Sequence, residues 1–209
     1  RATDAGFPRD AESWCKTTGN LFIEKHSKGG MYYVIIEKAL PCIPSQASHS
    51  TPEEKGKTLI LFSDDLDKTL ATFVLANGAA ATGKKVSIFF TFWGLNAIKK
   101  TNKPRIKKDI WGRMFGWMLP SDSTQLTLSQ MNMLGIGAKM MRFLMKKRGV
   151  DSLENLRQQA IDNGVEFIAC QMSMDVMGVK REELLDEVTI GGVATYMERA
   201  DQANVNLFI

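Results

Sequence analysis

Short apolar runs alternate with helical patterns over the last three quarters of the chain. Apolar runs of strand length lie at 58–62, 86–91, 165–170, 188–190 and 205–209. Between them, 66–83 and 151–163 carry apolar residues at helical spacing, and a glycine closes each segment. Apolar strands separated by helices are typical of a mostly parallel sheet that is covered on both faces. The pattern therefore predicts an α/β fold, a three-layer α/β/α domain with a five-stranded sheet.

A long segment at about 92–148 interrupts this alternation between the second and third strands. Ten of the twelve methionines lie between Met114 and Met177. Apolar side chains recur at helical spacing in its second half, at Leu134, Ala138, Met141 and Met145. Such periodicity is typical of a helix that packs on the core or on a neighbouring subunit. Methionine also lines adaptable binding surfaces, so a hydrophobic cover over one end of the sheet stays open as a second interpretation.

The first forty residues follow a different pattern. A helical segment begins near Pro8, and the strand-like runs 21–24 and 31–36 flank a glycine turn, which predicts a hairpin. A helix and a hairpin are too small to bury a core by themselves. We therefore expect a small α+β remnant of an incomplete domain. Segment 41–57, which holds three of the six prolines, has the composition of a linker.

Composition limits the possible partners. The chain is 44% hydrophobic and 24% charged, with a net charge of +4, as in a soluble globular protein. Its basic cluster at 99–108 is typical of a solvated loop and lacks a nucleic-acid motif, so we expect no nucleic-acid partner. The apolar region 110–145 is interrupted by charged and polar residues. It therefore predicts no membrane span, because a span needs about 20 mostly apolar residues in a row.

The three cysteines have unrelated spacings, which excludes a disulfide framework and a zinc site of known spacing. We predict no metal and no cofactor, and the cysteine usage fits a reducing cytoplasm. Cys15 lies with apolar residues and is expected in the core. Cys42 lies in the proline-rich segment and is expected to be an incidental exposed thiol.

Cys170 ends an apolar run, and a helical segment begins at once after it. The thiol is therefore expected at the carboxyl end of a strand, where ligands and reactive groups collect in open α/β sheets. A helix N-terminus favours the thiolate form of a cysteine, whereas the nearby negative charge of Asp175 opposes it. From position alone, a reactive thiol and an inert buried one stay equally open.

Further candidates follow the other strands and are expected at the same rim of the sheet. The predicted ligand-binding residues are Ser63, Asp64, Trp93, Met172, Gly191 and Gly192. Ser63 and Asp64 suit either helix capping or a hydrogen bond to a ligand. Gly191 and Gly192 open the last helix. Either the free backbone N–H groups there bind an anion, or the absence of side chains lets the helix pack closely on the sheet.

Three motifs together resemble the DsrE/DsrF-like family, in its peroxiredoxin-like branch, over about residues 57–209. The motifs are Leu61–Asp65, Ile168–Gly178 and Ile190–Tyr196. The resemblance implies a cytoplasmic sulfur relay in which Cys170 accepts sulfane sulfur as a persulfide and passes it on. It also implies thiol or persulfide donor and acceptor proteins, and a homo-oligomer. Whether such a module is a sulfurtransferase enzyme or a carrier stays open.

Residues 2–10 and 14–20 resemble the later part of a TusA/SirA-like domain. The sulfur-carrying cysteine of that family lies in a Cys-Pro-x-Pro motif, which is missing from this sequence, so its role does not pass to Cys15. We expect three parts: the end of a TusA-like domain over 1–40, a linker over 41–57, and a DsrE-like domain over 58–209. Such domains also occur behind flavin-containing CoA-disulfide reductases, so the chain is compatible with the tail of a larger protein.

Two other functions stay open. The first is a non-catalytic binding or assembly module that uses the sheet rim and the Met-rich helices. The second is a thiol peroxidase. Such an enzyme needs an activated cysteine with a supporting threonine and arginine, and the sequence around Cys170 supplies neither. We therefore rank the peroxidase last.

Overall fold

The computed structural model describes residues 7–18, 20–38, 55–102, 114 and 116–209. Its N-terminal part consists of helix α1 (Phe7–Thr18) and an antiparallel hairpin of β1 (Leu21–Lys28) and β2 (Met31–Glu37). Gly29 and Gly30 join the strands with φ values of 60° and 75°. A two-residue hairpin turn of type I′ requires positive φ at both positions, which glycine adopts without strain. The predicted hairpin is confirmed, with longer strands than the apolar runs indicated.

A five-stranded sheet forms the centre of the remaining chain. Its strands are β3 (Gly56–Leu61), β4 (Val86–Phe90), β5 (Glu166–Cys170), β6 (Thr189–Gly191) and β7 (Ala203–Phe208). Their order across the sheet is β6-β5-β4-β3-β7, and each neighbouring pair is parallel. The predicted five-stranded α/β sheet is confirmed.

The linker predicted over 41–57 needs a correction at its end. Gly56 and Lys57 belong to β3, and the Gly56 N–H donates to the carbonyl of Gln202 at 2.9 Å. The strand starts earlier than its apolar run because these two residues complete the ladder with β4 and β7. Residues 41–54 lie outside the described part of the chain.

Helices cover both faces of the sheet, which confirms the three-layer architecture. They are α2 (Leu66–Ala80), α3 (Ile136–Lys147), α4 (Leu153–Asp162), α5 (Gln171–Met177) and α6 (Val193–Asp201). On one face, the rings of Phe73, Phe90 and Phe167 pack with centroids 5.2 to 6.3 Å apart, and α2 contacts α4. On the other face, Tyr196 of α6 packs on Phe89 at 5.4 Å, and α1 lies against α6. Successive residues of a strand point to opposite faces, which separates Phe89 from Phe90.

The Met-rich segment packs on the face that carries α2 and α4. Leu126 and Ala138 are buried in the same core cluster as Phe73 and Phe90. Both residues lie on the other side of the sheet from Tyr196. Of the helical face predicted to pack, the core-packing interpretation is confirmed for Ala138, and it is wrong for Leu134, which is fully exposed and precedes the helix. Within the described residues, no helix combines the length and the apolar composition that crossing a bilayer requires.

Candidate functional site

Cys170 is the last residue of β5 and directly precedes α5, as the sequence predicted. Its thiol is free and only 2% exposed. The side chain packs in an apolar cluster with Phe89 and Ile168, flanked by Ile60 and Tyr196. The thiol therefore lies on the sheet face that α6 covers, and it is closed off from solvent in this conformation.

Helix α5 is held against the end of the neighbouring strand by a buried hydrogen bond. The hydroxyls of Thr91, which follows β4, and Ser173 lie 2.9 Å apart. The exposed carboxylate of Asp175 accepts a hydrogen bond from the Gln171 side chain at 2.9 Å. Met172, a predicted ligand-binding residue, is 48% exposed on the same helix. The residues after Cys170 thus form a short helix that is anchored on one side and solvated on the other.

Gly191 is the neighbour of Cys170 across the β5–β6 pair. A Cβ atom at Gly191 would lie 2.9 Å from Ile168 Cγ2 and 3.0 Å from Thr195 Cβ. Real Cβ contacts are essentially never that short, so a larger residue would push α6 away from the sheet. Close helix–sheet packing, one of the two roles predicted for the glycine pair, accounts for Gly191.

The backbone N–H of Gly192 binds a carboxylate of the protein itself, that of Asp10. The Gly192 N–H and the Thr195 hydroxyl both donate to Asp10 Oδ1, at 3.1 and 2.9 Å. A Cβ atom at Gly192 would lie 2.0 Å from Asp10 Oδ2. The negative carboxylate therefore complements the positive end of the α6 dipole. The position predicted to bind a ligand is occupied by the N-terminal segment, a contact that sequence reasoning missed.

Ser63 and its neighbour Asp65 interact with each other instead of capping α2. The Ser63 hydroxyl donates to Asp65 Oδ2 at 2.7 Å. The same carboxylate oxygen forms an ion pair with Lys68 Nζ at 2.7 Å. Asp65 stands at the N-cap position without a side-chain cap hydrogen bond. The Leu66 N–H donates to the backbone carbonyl of Thr127 at 2.7 Å. The predicted capping role is wrong because the Met-rich segment supplies the acceptor.

Asp64 belongs to a polar group that the sequence did not predict. Asn96 is fully buried and donates from Nδ2 to Asp64 Oδ2 at 2.8 Å. Burial raises the pKa of the Asp64 carboxyl. Lys99 is 2% exposed, and its Nζ donates to the carbonyl of Pro120 at 3.3 Å. A signal for this group was available, because Asn96 and Lys99 interrupt an apolar run directly after β4.

Trp93 lies in a 3₁₀ helix (Phe92–Ile98) that follows β4, and its side chain is 40% exposed. The next residue approaches the end of β3 closely. A Cβ atom at Gly94 would lie 2.1 Å from the carbonyl oxygen of Leu61. The Gly94 N–H donates to the backbone carbonyl of Phe62 at 2.9 Å. The rim at this point is therefore a tight backbone junction with the tryptophan ring on its outside.

The predicted residues share one edge of the sheet but divide into two environments. Cys170 and Gly191 face the α6 layer, where their neighbours are apolar. Asp64 is joined to Asn96, whose sequence neighbours lie in the core of the opposite face. The roles of these residues in ligand binding stay predictions. Within the described part of the chain, no group of three or more His, Cys, Asp or Glu side chains has the arrangement of a metal site.

Residues 53–208 match the model of the DsrE/DsrF/DrsH-like family. The "Uncharacterized protein YrkE" of Bacillus subtilis is 44% identical over 159 residues, covering 76% of this chain and 99% of the relative. The "Sulfur carrier protein DsrE2" of Allochromatium vinosum is 35% identical over 161 residues, covering 75% and 99%.

A solved structure, that of the ychN protein from E. coli, is 11% identical with a TM-score of 0.43. It covers 74% of this chain and 99% of that chain, a similarity too low to bear on the fold. The family match begins at residue 53. Helix α1 and the hairpin therefore lie outside the family match, and their TusA/SirA-like resemblance stays a prediction.

Proposed function

We propose that this chain, which belongs to the DsrE/DsrF/DrsH-like family, is a sulfur-relay module that carries sulfane sulfur as a persulfide on Cys170. The observation that carries the proposal is the position of this free thiol, at the carboxyl end of β5 and directly before α5. That edge of a parallel sheet is where reactive groups collect. A relative with 35% identity is named a sulfur carrier, which supports the same chemistry here.

The proposed chemistry has two thiol exchange steps. The Cys170 thiolate attacks the outer sulfur of a persulfide donor, the Cys170 S–S bond forms, and the donor leaves as a thiolate. An acceptor thiolate then attacks the outer sulfur of the Cys170 persulfide, and Cys170 is released as a thiolate. Each step conserves electrons and needs no oxidant. The partners are donor and acceptor thiol proteins, and we place them in the reducing cytoplasm because the cysteine must stay a free thiol.

The burial of the thiol shapes how the relay works. Cys170 is 2% exposed, so an exchange partner reaches it only after the apolar cluster opens. Helix α6 is the candidate moving element, since its Tyr196 flanks the thiol and its Val193 and Met197 are exposed. A cover of this kind shields a persulfide from other thiols between loading and delivery.

The other described cysteine is a poor carrier. Cys15 lies inside α1 and is as buried as Cys170, each being 2% exposed, so exposure does not distinguish the two thiols. Burial, followed by the negative charge of Glu12, raises the pKa of its thiol. A raised pKa lowers the thiolate fraction that performs exchange. Cys42 lies outside the described residues.

The test is a measurement of transferable sulfur. The protein is loaded with inorganic polysulfide, freed of excess reagent and treated with cyanide, which removes the outer sulfur of a persulfide as thiocyanate. We expect thiocyanate from the parent and from Cys15→Ser, and a loss of most of it in Cys170→Ser. Equal thiocyanate from Cys170→Ser and the parent would remove Cys170 from the relay.

A second candidate, an assembly module, is favoured by the apolar surface around α3. More than half of the surface of each of these side chains is exposed: Met131, Met133, Leu134, Ile136, Met140 and Phe143. Exposed apolar patches of this kind mark interaction sites. We propose that this surface joins copies of the chain into a homo-oligomer.

Sedimentation velocity tests the assembly. The Met140→Gln/Phe143→Gln variant is expected to sediment as a smaller species than the parent. Val74→Gln changes an apolar residue of α2 that is 54% exposed and serves as the matched control. A parent that sediments as a monomer, or a double variant that keeps the parent's size, would contradict the proposal.

A further inference from the structure

A cavity of about 470 Å³ lies between the N-terminal segment and the edge of the sheet next to Cys170. On the sheet side it is lined by Gln171, the residue after Cys170, and by Ile190, the neighbour of Ala169 across the β5–β6 pair. On the other side it is lined by residues of α1 and the hairpin, including Arg9, Lys25, His26 and Tyr32. We call this cavity the hairpin pocket. Two of its lining residues, Gln171 and Ile190, therefore lie next to the end of β5, where Cys170 is located.

The charged side chains of the hairpin pocket are basic. Arg9, Lys25 and His26 line it, and none of its described lining residues is acidic. Arg9 donates to the carbonyl of Ile190, which leaves other N–H donors of its guanidinium for a ligand. His26 Nδ1 lies 3.3 Å from the Glu24 carboxylate, and Arg9 and Lys25 are the described lining residues that carry a positive charge at neutral pH. A pocket with this lining attracts an anion.

The size of the pocket indicates what kind of anion fits. Small-molecule sites generally measure about 300 to 1,000 Å³, and the hairpin pocket, at about 470 Å³, lies within that range. A single inorganic oxyanion would leave most of this volume empty. A short peptide with several carboxylates fills more of it and pairs with both Arg9 and Lys25. The Tyr32 ring at the wall offers an apolar surface to the body of such a ligand.

We propose that the hairpin pocket binds a low-molecular-weight peptide thiol as its persulfide, a compound of the chemical class of glutathione persulfide, and presents its sulfur to Cys170. This inference rests on the proposed persulfide chemistry and names its small-molecule donor. The Cys170 thiolate attacks the outer sulfur of R–S–SH. The new S–S bond forms at Cys170, the R–S bond to that sulfur breaks, and R–S⁻ leaves and takes up the proton that Cys170 gave up. One thiol and one persulfide are consumed, and one thiol and one persulfide are formed.

Hydrogen bonds between α1 and the region of β6 and α6 fix the N-terminal wall of the pocket to the sheet. Asp10 binds Gly192 and Thr195, and Arg9 binds Ile190. The pocket therefore exists because α1 is docked on α6. Asp10, Arg9 and the hairpin residues of the lining precede the family match, which begins at residue 53. The basic side chains that would select the donor are consequently supplied by the N-terminal segment, whereas the matched domain supplies Gln171 and Ile190.

Direct binding is measured in the full chain carrying Cys170→Ser, which removes the exchange reaction. The probe is glutathione, titrated calorimetrically at about 0.15 M ionic strength, where charges more than about 8 Å apart are largely screened. Lys25→Glu is expected to weaken binding about tenfold or more, which corresponds to about 1.4 kcal/mol. Lys28→Glu makes the same charge change on the same strand at a residue that does not line the pocket, and it is expected to leave binding within about twofold of the parent. Equal thermal midpoints for the two variants show that the fold is intact.

The results separate the possible outcomes. Undetectable glutathione binding, or equal weakening by Lys25→Glu and Lys28→Glu, would overturn the proposal. Thiosulfate binding that depends on Lys25, without glutathione binding, would also overturn it in favour of an inorganic anion. Glutathione binding that depends on Lys25 supports the pocket even if Cys170 takes up no sulfur from any donor, in which case the relay proposal alone fails. Polysulfide loading of Cys170 without glutathione binding contradicts the pocket and leaves the relay intact.

Discussion

The carboxylate of Asp10 accepts a hydrogen bond from the backbone N–H of Gly192 at 3.1 Å, across 182 positions of sequence. The same oxygen accepts the Thr195 hydroxyl at 2.9 Å. The pair fastens the N-terminal helix to the start of α6, beside the strand that pairs with the end of β5. It also explains why residue 192 is glycine, since a side chain there would collide with the carboxylate.

Replacing Asp10 with alanine is expected to lower the free energy of unfolding by about 1 kcal/mol, because a helix N-terminus loses a charged hydrogen-bond acceptor. Urea unfolding measures the change. Glu12→Ala removes an acidic residue two positions along, whose pair with Lys16 is solvent-exposed, and is expected to cost less than about 0.5 kcal/mol. Equal losses in the two variants would mean that the Asp10 contact does not stabilise the fold.

Two glycine substitutions should have opposite effects. Gly94→Ala places a Cβ atom 2.1 Å from the Leu61 carbonyl oxygen, and the forced backbone shift is expected to cost about 1 to 3 kcal/mol. Gly78→Ala adds a methyl group inside α2 where no atom lies within 4 Å. It should raise stability by about 0.5 to 1 kcal/mol, because alanine loses less entropy in a helix. Thermal unfolding of both variants tests the junction at Gly94, and a stable Gly94→Ala would show that the junction is looser than described.

The stability of two aspartate variants should respond to pH in opposite directions. Burial raises the pKa of Asp64, so its ionisation in the folded state costs stability as pH rises through that raised value. Asp64→Asn removes the cost, and its stability relative to the parent should increase from about pH 4 to pH 7.

For Asp67, burial is outweighed by two hydrogen bonds from Ser129, at 3.0 and 2.6 Å, and the pKa is lowered. Its contribution to stability is present above the ordinary aspartate pKa and is lost as pH falls through the lowered value. Asp67→Asn should therefore lose stability relative to the parent as pH rises from about 2 to about 4. Urea unfolding at about pH 2, 4 and 7 checks the signs. A rise in the relative stability of Asp67→Asn between about pH 2 and 4, or a fall in that of Asp64→Asn between about pH 4 and 7, would contradict this assignment.

The sequence predicted the elements that depend on local pattern. The apolar runs placed all five strands of the sheet to within a few residues, and the position of Cys170 followed from the run that it ends. What the sequence could not predict depends on contacts between distant segments. The Asp10–Gly192 contact joins two such segments, and the acceptor for the first turn of α2 comes from Thr127 instead of a local side chain. The faces of the strands are also decided by packing, which is why Cys170 and Asp64 share an edge but not an environment.

The most direct test of the proposed relay identifies the cysteine that holds the sulfur. The native protein is loaded with polysulfide, and its thiols and persulfides are alkylated. After proteolysis, the masses of the peptides that contain Cys15, Cys42 and Cys170 are measured by mass spectrometry. If Cys170 carries the sulfur, the Cys170 peptide gains the mass of one sulfur atom and the Cys15 peptide stays unmodified. Added sulfur on Cys42 alone, with an unmodified Cys170 peptide, would contradict the proposed relay.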